Sequence, residues 1–135
     1  MSGVSRQVRL SLGGTELEGA LTIPAGALGL VLFAHGSGSS RLSPRNRQVA
    51  AALEARGIGT LLFDLLTAHE STDRANVFDI ALLASRLAAA AGWASRQPEA
   101  RDLPLGYFGA STGGAAALVA AAQTGLAVNV KKGQF

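Results

Sequence analysis

The first part of the chain alternates apolar and polar residues, which is typical of strands with one buried face. Apolar residues share one side over residues 8–12 and again over residues 17–23. Gly13 and Gly14 stand between the two segments. Two half-buried strands joined by a Gly-Gly turn predict an antiparallel hairpin.

The later apolar runs do not alternate, as expected of strands that are covered on both faces. Residues 28–34 and 58–63 form two such runs, and a third leads from Leu103 to Gly109. A shorter segment, residues 126–130, has the composition of one more strand. These runs predict the centre of a parallel sheet.

Segments with helical spacing separate the buried runs. Ser43 is placed to cap a helix that begins at Pro44 and ends before Gly57. Apolar residues at three-four spacing predict a long helix from about Val77, and residues 115–122 predict an alanine-rich one. Alternating strands and helices predict an α/β fold: a mostly parallel sheet with helices on both faces and the hairpin at its edge.

Ser111 stands at the junction between the last buried strand and the alanine-rich helix. Gly109 and Gly113 flank it in the pattern G-x-S-x-G, which is the pattern of a nucleophile elbow. Such a turn strains the serine backbone, and glycine two residues away on either side removes collisions. The pattern predicts that the Ser111 hydroxyl and the Thr112 N–H face a common oxygen. The alternative is an ordinary glycine-rich turn of an α/β protein.

Composition narrows the range of functions. The chain has 135 residues, is 48% hydrophobic and lacks Cys, which predicts at most one well-buried domain. The net charge of +3 comes from scattered arginines, and the densest group has no interleaved aromatic residues, so nucleic-acid binding is disfavoured. Only two histidines are present, far apart, which gives no support to a metal site.

No apolar run is long enough to cross a membrane, and the first twelve residues lack the apolar core of a signal peptide. We therefore expect a cytoplasmic protein without a membrane partner.

The motifs, in this order, resemble those of the α/β-hydrolase fold, and within it the dienelactone-hydrolase-like proteins. The resemblance covers residues 4–124. It rests on the hairpin, on the loop that starts with His35 after the third strand, on the Phe-Asp-Leu-Leu segment over residues 63–66, and on the segment Phe-Gly-Ala-Ser-Thr-Gly over residues 108–113.

The resemblance implies a function and a set of roles. Ser111 corresponds to the nucleophile, and the amides of Ser37 and Thr112 correspond to the oxyanion hole. The supporting positions are His35, Gly36, Gly109 and Gly113. The implied substrate is a small-molecule ester or lactone, and no cofactor is implied.

The family pattern continues after the elbow helix with an acid and then a histidine. No Asp, Glu or His follows Ser111 in this sequence. We therefore expect residues 1–135 to form one incomplete α/β-hydrolase domain, with residues 125–135 as an atypical tail, and the activity to be impaired or absent.

Two histidines remain as candidate bases for Ser111. His35 is expected beside the elbow, but its main expected task is to hold the oxyanion loop through backbone hydrogen bonds. His69 lies in a loop after the strand that ends before Asp64, and Glu70 or Asp73 would be its orienting acid. A solvated loop histidine is the default interpretation of His69.

Two other classes of function stay open. A nucleotide site at the loop after His35 is disfavoured, because Arg41 stands where G-x-G-x-x-G needs its third glycine. The other class is a non-catalytic binding or assembly module, whose apolar segment 126–130 pairs with a partner chain or forms an edge-paired homodimer.

Overall fold

The structure, a computed structural model, describes residues 3–131. Its strands are β1 (Val4–Leu12), β2 (Thr15–Ile23), β3 (Gly29–Ala34), β4 (Ile58–Phe63), β5 (Leu105–Ala110) and β6 (Ala127–Lys131). Its helices are α1 (Pro44–Glu54), α2 (Arg74–Val77), α3 (Ile80–Ser95) and α4 (Thr112–Thr124). Single 3₁₀ turns occur at Glu70–Thr72 and Pro98–Ala100.

The six strands form one sheet in the order β1-β2-β4-β3-β5-β6. The hairpin of β1 and β2 is antiparallel, and β2 joins β4 in antiparallel register. The strands β4, β3, β5 and β6 run parallel. The predicted fold class is confirmed, including the hairpin at one edge and the strand after α4. The segment Lys132 to Phe135 of the predicted tail lies outside the described residues.

Helices cover both faces of the sheet because alternate strand residues supply two separate cores. On one face, Leu32 and Tyr107 pack in a large cluster with the alanines of α3 and α4. On the other face, Phe33 and Leu62 pack with Ala50 of α1. The small side chains of α3 and α4 let these two helices pack against each other over the sheet.

The predicted start of the long helix at about Val77 is wrong. Val77 ends the short helix α2, and α3 begins at Ile80. The side chain of Asp79 accepts a hydrogen bond from the N–H of Leu82 at 3.1 Å, which makes Asp79 the cap of α3. Apolar spacing continues from Val77 into α3, so periodicity alone placed the start of the helix before its capping residue.

The sheet brings three predicted residues to one edge. His35, Asp64 and Ser111 directly follow β3, β4 and β5, which are neighbouring parallel strands. Among residues 3–131 no helix is long and apolar enough to span a bilayer. The cytoplasmic location stays a prediction from the sequence.

Candidate active site

Ser111 has the unusual backbone conformation that the elbow pattern predicts. Its φ is 58° and its ψ is −133°, and among the described residues no other non-glycine residue has a positive φ. Such a conformation costs about 1–3 kcal/mol and persists only where the surrounding structure holds it. Ser111 also caps α4, and its side chain is exposed at the carboxyl edge of the sheet.

The surrounding glycines hold the elbow by allowing close backbone contact. A Cβ on Gly113 would overlap the carbonyl oxygens of Ala34 and His35, and a Cβ on Gly109 would overlap the backbone of Gly113. A Cβ on Gly36 would lie 3.3 Å from the Cβ of Ser111. The structure therefore packs the loop after β3 directly against the elbow.

His35 connects the end of β4 to the loop after β3. The N–H of Leu65 donates to His35 Nε2 at 3.0 Å, so the ring proton is on Nδ1, which donates to the carbonyl of Gly36 at 3.0 Å. Burial lowers the pKa of His35, although the Gly36 carbonyl and the charge of Asp64 oppose this shift. Both ring nitrogens thus make hydrogen bonds to the backbone that hold the two loops.

The Gly36 carbonyl belongs to the same peptide unit as the N–H of Ser37. This carbonyl also accepts a hydrogen bond from the N–H of Ser39 at 3.1 Å. The Ser37 N–H points the opposite way and donates to Thr112 Oγ1 at 2.7 Å. The two residues assigned to the oxyanion hole are therefore in direct contact, through the side chain of Thr112.

Asp64 fixes the far end of the same loop. Its carboxylate accepts a hydrogen bond from the Arg41 N–H at 2.8 Å and another from the Arg41 guanidinium at 2.6 Å. The guanidinium also lies 3.3 Å from a carboxylate oxygen of Glu18 on β2. Residues 36–41 are consequently held at both ends.

Glu70 organises the loop after β4. Arg86 on α3 binds its carboxylate through two nitrogens, at 2.9 Å and 2.6 Å, and the Thr67 N–H donates to it at 2.9 Å. The Arg86 hydrogen bonds lower the pKa of Glu70 to about 2. The contribution of this carboxylate to stability is therefore present above its ordinary pKa of 4.5 and is lost as the pH falls towards about 2.

The acids considered as partners of His69 both have local structural roles. Asp73 accepts a hydrogen bond from the Ala75 N–H at 2.9 Å as the cap of α2, and Glu70 is held by Arg86. The side chain of His69 is exposed. Its neighbours Ala68 and Ser71, rather than His69, face the cleft described next.

A cleft of about 910 Å³ runs between the loop after β3 and the loop after β4. The loop residues 36–41 and Thr112 form its wall beside the elbow. Its larger apolar lining residues are Leu17, Leu66, Val77, Phe78 and Leu83. The cleft has the size and mixed lining of a small-molecule site. Within residues 3–131, no three His, Asp or Glu side chains cluster as metal ligands do.

The sequence analysis did not find the side-chain contribution of Thr112, nor the roles of Arg41 and Arg86. Thr112 and Ser37 are 75 positions apart in the sequence. No local pattern marks a pairing over that separation. The only hint in the sequence is that a hydroxyl-bearing residue, Thr112, directly follows the elbow serine.

A dienelactone hydrolase from Anabaena variabilis superimposes on 98% of this chain with a TM-score of 0.89 and 52% sequence identity. The chain has the fold of the dienelactone-hydrolase-like α/β-hydrolases. A cold-adapted esterase from an Arctic intertidal metagenomic library, at 23% identity and a TM-score of 0.73 over 96% of the chain, shares this fold. The chain spans 63% of the Anabaena hydrolase and 61% of the esterase. No protein-family model matches the chain.

Two curated sequences from Mycobacterium tuberculosis, both provisionally named phosphoribosyl transferases, are 59% identical to this chain over 116 residues. The match covers 86% of the chain but only 26% of each relative. The chain thus spans about a quarter of these relatives. Most of each relative lies outside the matched segment, and its name refers to that whole, longer protein.

Proposed function

We propose that the chain carries the nucleophile and oxyanion hole of a serine hydrolase that acts on small carboxylic esters or lactones. Ser111 Oγ attacks the carbonyl carbon, the alcohol oxygen leaves with the serine proton, and water then hydrolyses the acyl-enzyme to release the acid and restore the serine. The N–H groups of Thr112 and Ser37 stabilise the negative oxygen of the tetrahedral intermediates. The cleft beside the elbow receives the substrate.

One observation carries this proposal: Ser111 alone among the described non-glycine residues has a positive φ, between a parallel strand and a helix. Strain of this kind is kept where the position of a side chain matters more than its conformational energy. The close approach of Gly36 to the side chain of Ser111 supports the proposed role of the neighbouring Ser37 amide. The likeness to the Anabaena hydrolase supports the same assignment.

Ser111 needs a base, and neither histidine of the chain is placed to act as one. The two nitrogens of His35 are committed to Leu65 and Gly36, and His69 is exposed outside the cleft lining. We therefore propose that these 135 residues alone turn esters over slowly. An oxyanion hole and binding without a working triad leave a residual rate roughly 10³–10⁴-fold above water.

A fluorophosphonate probe tests Ser111 without requiring turnover, because the Ser111 Oγ–P bond forms as fluoride leaves. We expect intact-mass and peptide analysis to locate the label on Ser111, and Ser111→Ala to abolish it. Hydrolysis of p-nitrophenyl acetate, followed in parallel, should be lost in the same variant.

Ser95→Ala is the matched control, because Ser95 lies at the exposed end of α3 and bonds only locally to the Gly92 carbonyl. It should label and hydrolyse like the parent chain. Equal labelling of the Ser111→Ala variant would contradict the assignment of the nucleophile. Fast hydrolysis that disappears in His69→Ala would contradict the proposed slow turnover.

An assembly module is the second candidate function. Leu118 on α4 is 53% exposed and Val130 on β6 is 40% exposed, and β6 is the last strand on its side of the described sheet. An apolar helix face beside an unpaired strand edge favours pairing with another chain. This function does not require Ser111, so the labelling experiment separates the two candidates.

Transfer of a phosphoribosyl group has no support from the residues of this chain. The glycine-rich loop after His35 lacks the spacing of a dinucleotide fingerprint and the lysine of a phosphate-binding loop. The Ser37 amide of this loop instead donates to Thr112 Oγ1 beside the elbow. We therefore do not extend the transferase name of the longer Mycobacterium tuberculosis relatives to this chain.

A further inference from the structure

The hydroxyl of Thr112 occupies a position that the proposed mechanism reserves for substrate. Ser37 N–H, the second oxyanion donor of that mechanism, already donates to Thr112 Oγ1 at 2.7 Å. A neutral hydroxyl at this distance is a good acceptor. The donor is therefore satisfied before any substrate oxygen arrives.

The loop does not depend on this hydrogen bond for its position. His35 Nδ1 and the Ser39 N–H both bind the Gly36 carbonyl, at 3.0 Å and 3.1 Å, and they orient the peptide unit that carries the Ser37 N–H. Asp64 holds the other end of the loop through Arg41. Removing the Thr112 hydroxyl would leave these restraints in place.

Thr112 is free to give up the hydrogen bond. It is only partly buried, lines the cleft and is the first residue of α4. Threonine at such a position has more than one accessible χ1 rotamer. A rotation about χ1 moves Oγ1 away from the Ser37 N–H without moving the backbone of the elbow.

We propose that Thr112 is a positioning residue whose hydroxyl caps the Ser37 N–H and closes the oxyanion hole until a stronger acceptor replaces it. This inference rests on the proposed hydrolase function. The carbonyl oxygen of an ester is no better an acceptor than a hydroxyl, whereas an oxyanion forms a charge-assisted hydrogen bond about twice as strong. The bound ester therefore leaves the cap in place, whereas the oxyanion displaces it at the cost of the hydrogen bond from Ser37 to Thr112.

Two variants of Thr112 separate the hydroxyl from the rest of the side chain. Thr112→Val keeps the shape and removes the acceptor, while Thr112→Ser keeps the acceptor. Thr124→Val is the matched control at the other end of α4, where the Thr124 hydroxyl bonds to Tyr107 and to the Ala120 carbonyl. Hydrogen exchange at the Ser37 amide, measured by NMR on the chain, reports the cap directly.

We expect Thr112→Val to speed exchange at the Ser37 amide about five-fold, and Thr112→Ser and Thr124→Val to leave it unchanged. Unchanged exchange in Thr112→Val would overturn the cap. Hydrogen exchange does not involve Ser111, so its result tests the cap separately from the hydrolase proposal. The labelling of Ser111 tests the hydrolase proposal.

Phenylboronic acid tests the closing of the hole. A bond forms between Ser111 Oγ and boron, the serine proton leaves to solvent, and an oxygen of the anionic boronate takes the place of the oxyanion. We expect Thr112→Val to bind this probe about five-fold more tightly than the parent chain, with Thr112→Ser restoring the parent affinity. Equal or weaker binding by Thr112→Val, or no binding by any variant, would overturn the proposal.

Discussion

His35 shows how a partly buried histidine can be committed to structure instead of proton transfer. Its Nε2 accepts a hydrogen bond from Leu65 and its Nδ1 donates to Gly36. Protonation would turn Nε2 into a donor facing another donor, and the Leu65 hydrogen bond would be lost. The neutral ring therefore links β4 to the peptide unit whose N–H faces Thr112.

The lowered pKa of His35 predicts a pH dependence of stability. Below the ordinary pKa of 6.5, the unfolded chain binds a proton that the folded chain does not. Stability is thus fully present above pH 6.5 and falls as the pH decreases towards the folded-state pKa, by up to about 1.4 kcal/mol per pH unit. Thermal unfolding at about pH 7 and about pH 5 measures this slope.

His35→Gln should flatten that slope, because glutamine donates and accepts without titrating. His69→Gln is the matched control and should keep the parent slope, since His69 is exposed. A His35→Gln variant with the parent slope would show that another group causes the pH dependence.

The element that fixes the site is α4, which begins at the elbow and is positioned by the close contacts of two glycines. Gly113 lies against the carbonyls that end β3, and Gly114 lies where a Cβ would be 2.9 Å from Val130 of β6. These contacts bring the helix N-terminus close to the sheet edge. Thr112, the first residue of α4, consequently lines the cleft beside the elbow.

Gly113→Ala should disrupt the packing of α4 against the end of β3. The added Cβ overlaps backbone atoms that cannot move without separating β3 from α4, so we expect a destabilisation of at least about 2–3 kcal/mol. Gly92→Ala in α3 is the matched control, because a Cβ there meets only the end of the Arg96 side chain. Since alanine favours helices, Gly92→Ala should be neutral or slightly stabilising. Equal melting temperatures for the two variants would contradict this packing argument.

At the scale of the whole molecule, the two sides of the described sheet differ. On the hairpin side, β1 is the edge strand, its exposed residues are polar, and its Arg6 forms an ion pair with Glu99. On the other side, β6 is the edge strand and α4 exposes Leu118 and Val119. Three of the six large apolar side chains that are exposed among the described residues, Leu118, Val119 and Val130, thus lie beside β6.

We predict that the 135-residue chain self-associates through the surface formed by β6 and α4. Leu118→Lys should shift it towards monomer, because a charge opposes burial of this face. Light scattering after size-exclusion chromatography over a range of concentrations measures the effect. Leu28→Lys is the control: Leu28 is 72% exposed but lies just before β3, away from β6 and α4, so this variant should associate like the parent. A concentration-independent monomer in the parent chain would contradict the prediction.

The sequence by itself determined the order and type of the main elements and the place of Ser111. Burial pattern, glycine spacing and capping residues act over a few neighbouring positions, so a linear pattern contains them. The same pattern misplaced the start of α3, because the apolar spacing through Val77 continued past the cap at Asp79.

Only the tertiary structure decided which polar side chains are available for chemistry. Asp64, Glu70 and His35 all follow parallel strands in the sequence, yet each is bound by a distant partner: Arg41, Arg86 and Leu65. The hydrogen bond from Ser37 to Thr112 likewise joins residues 75 positions apart. Such pairings depend on strand register and helix packing, which set distances and directions that no local pattern contains.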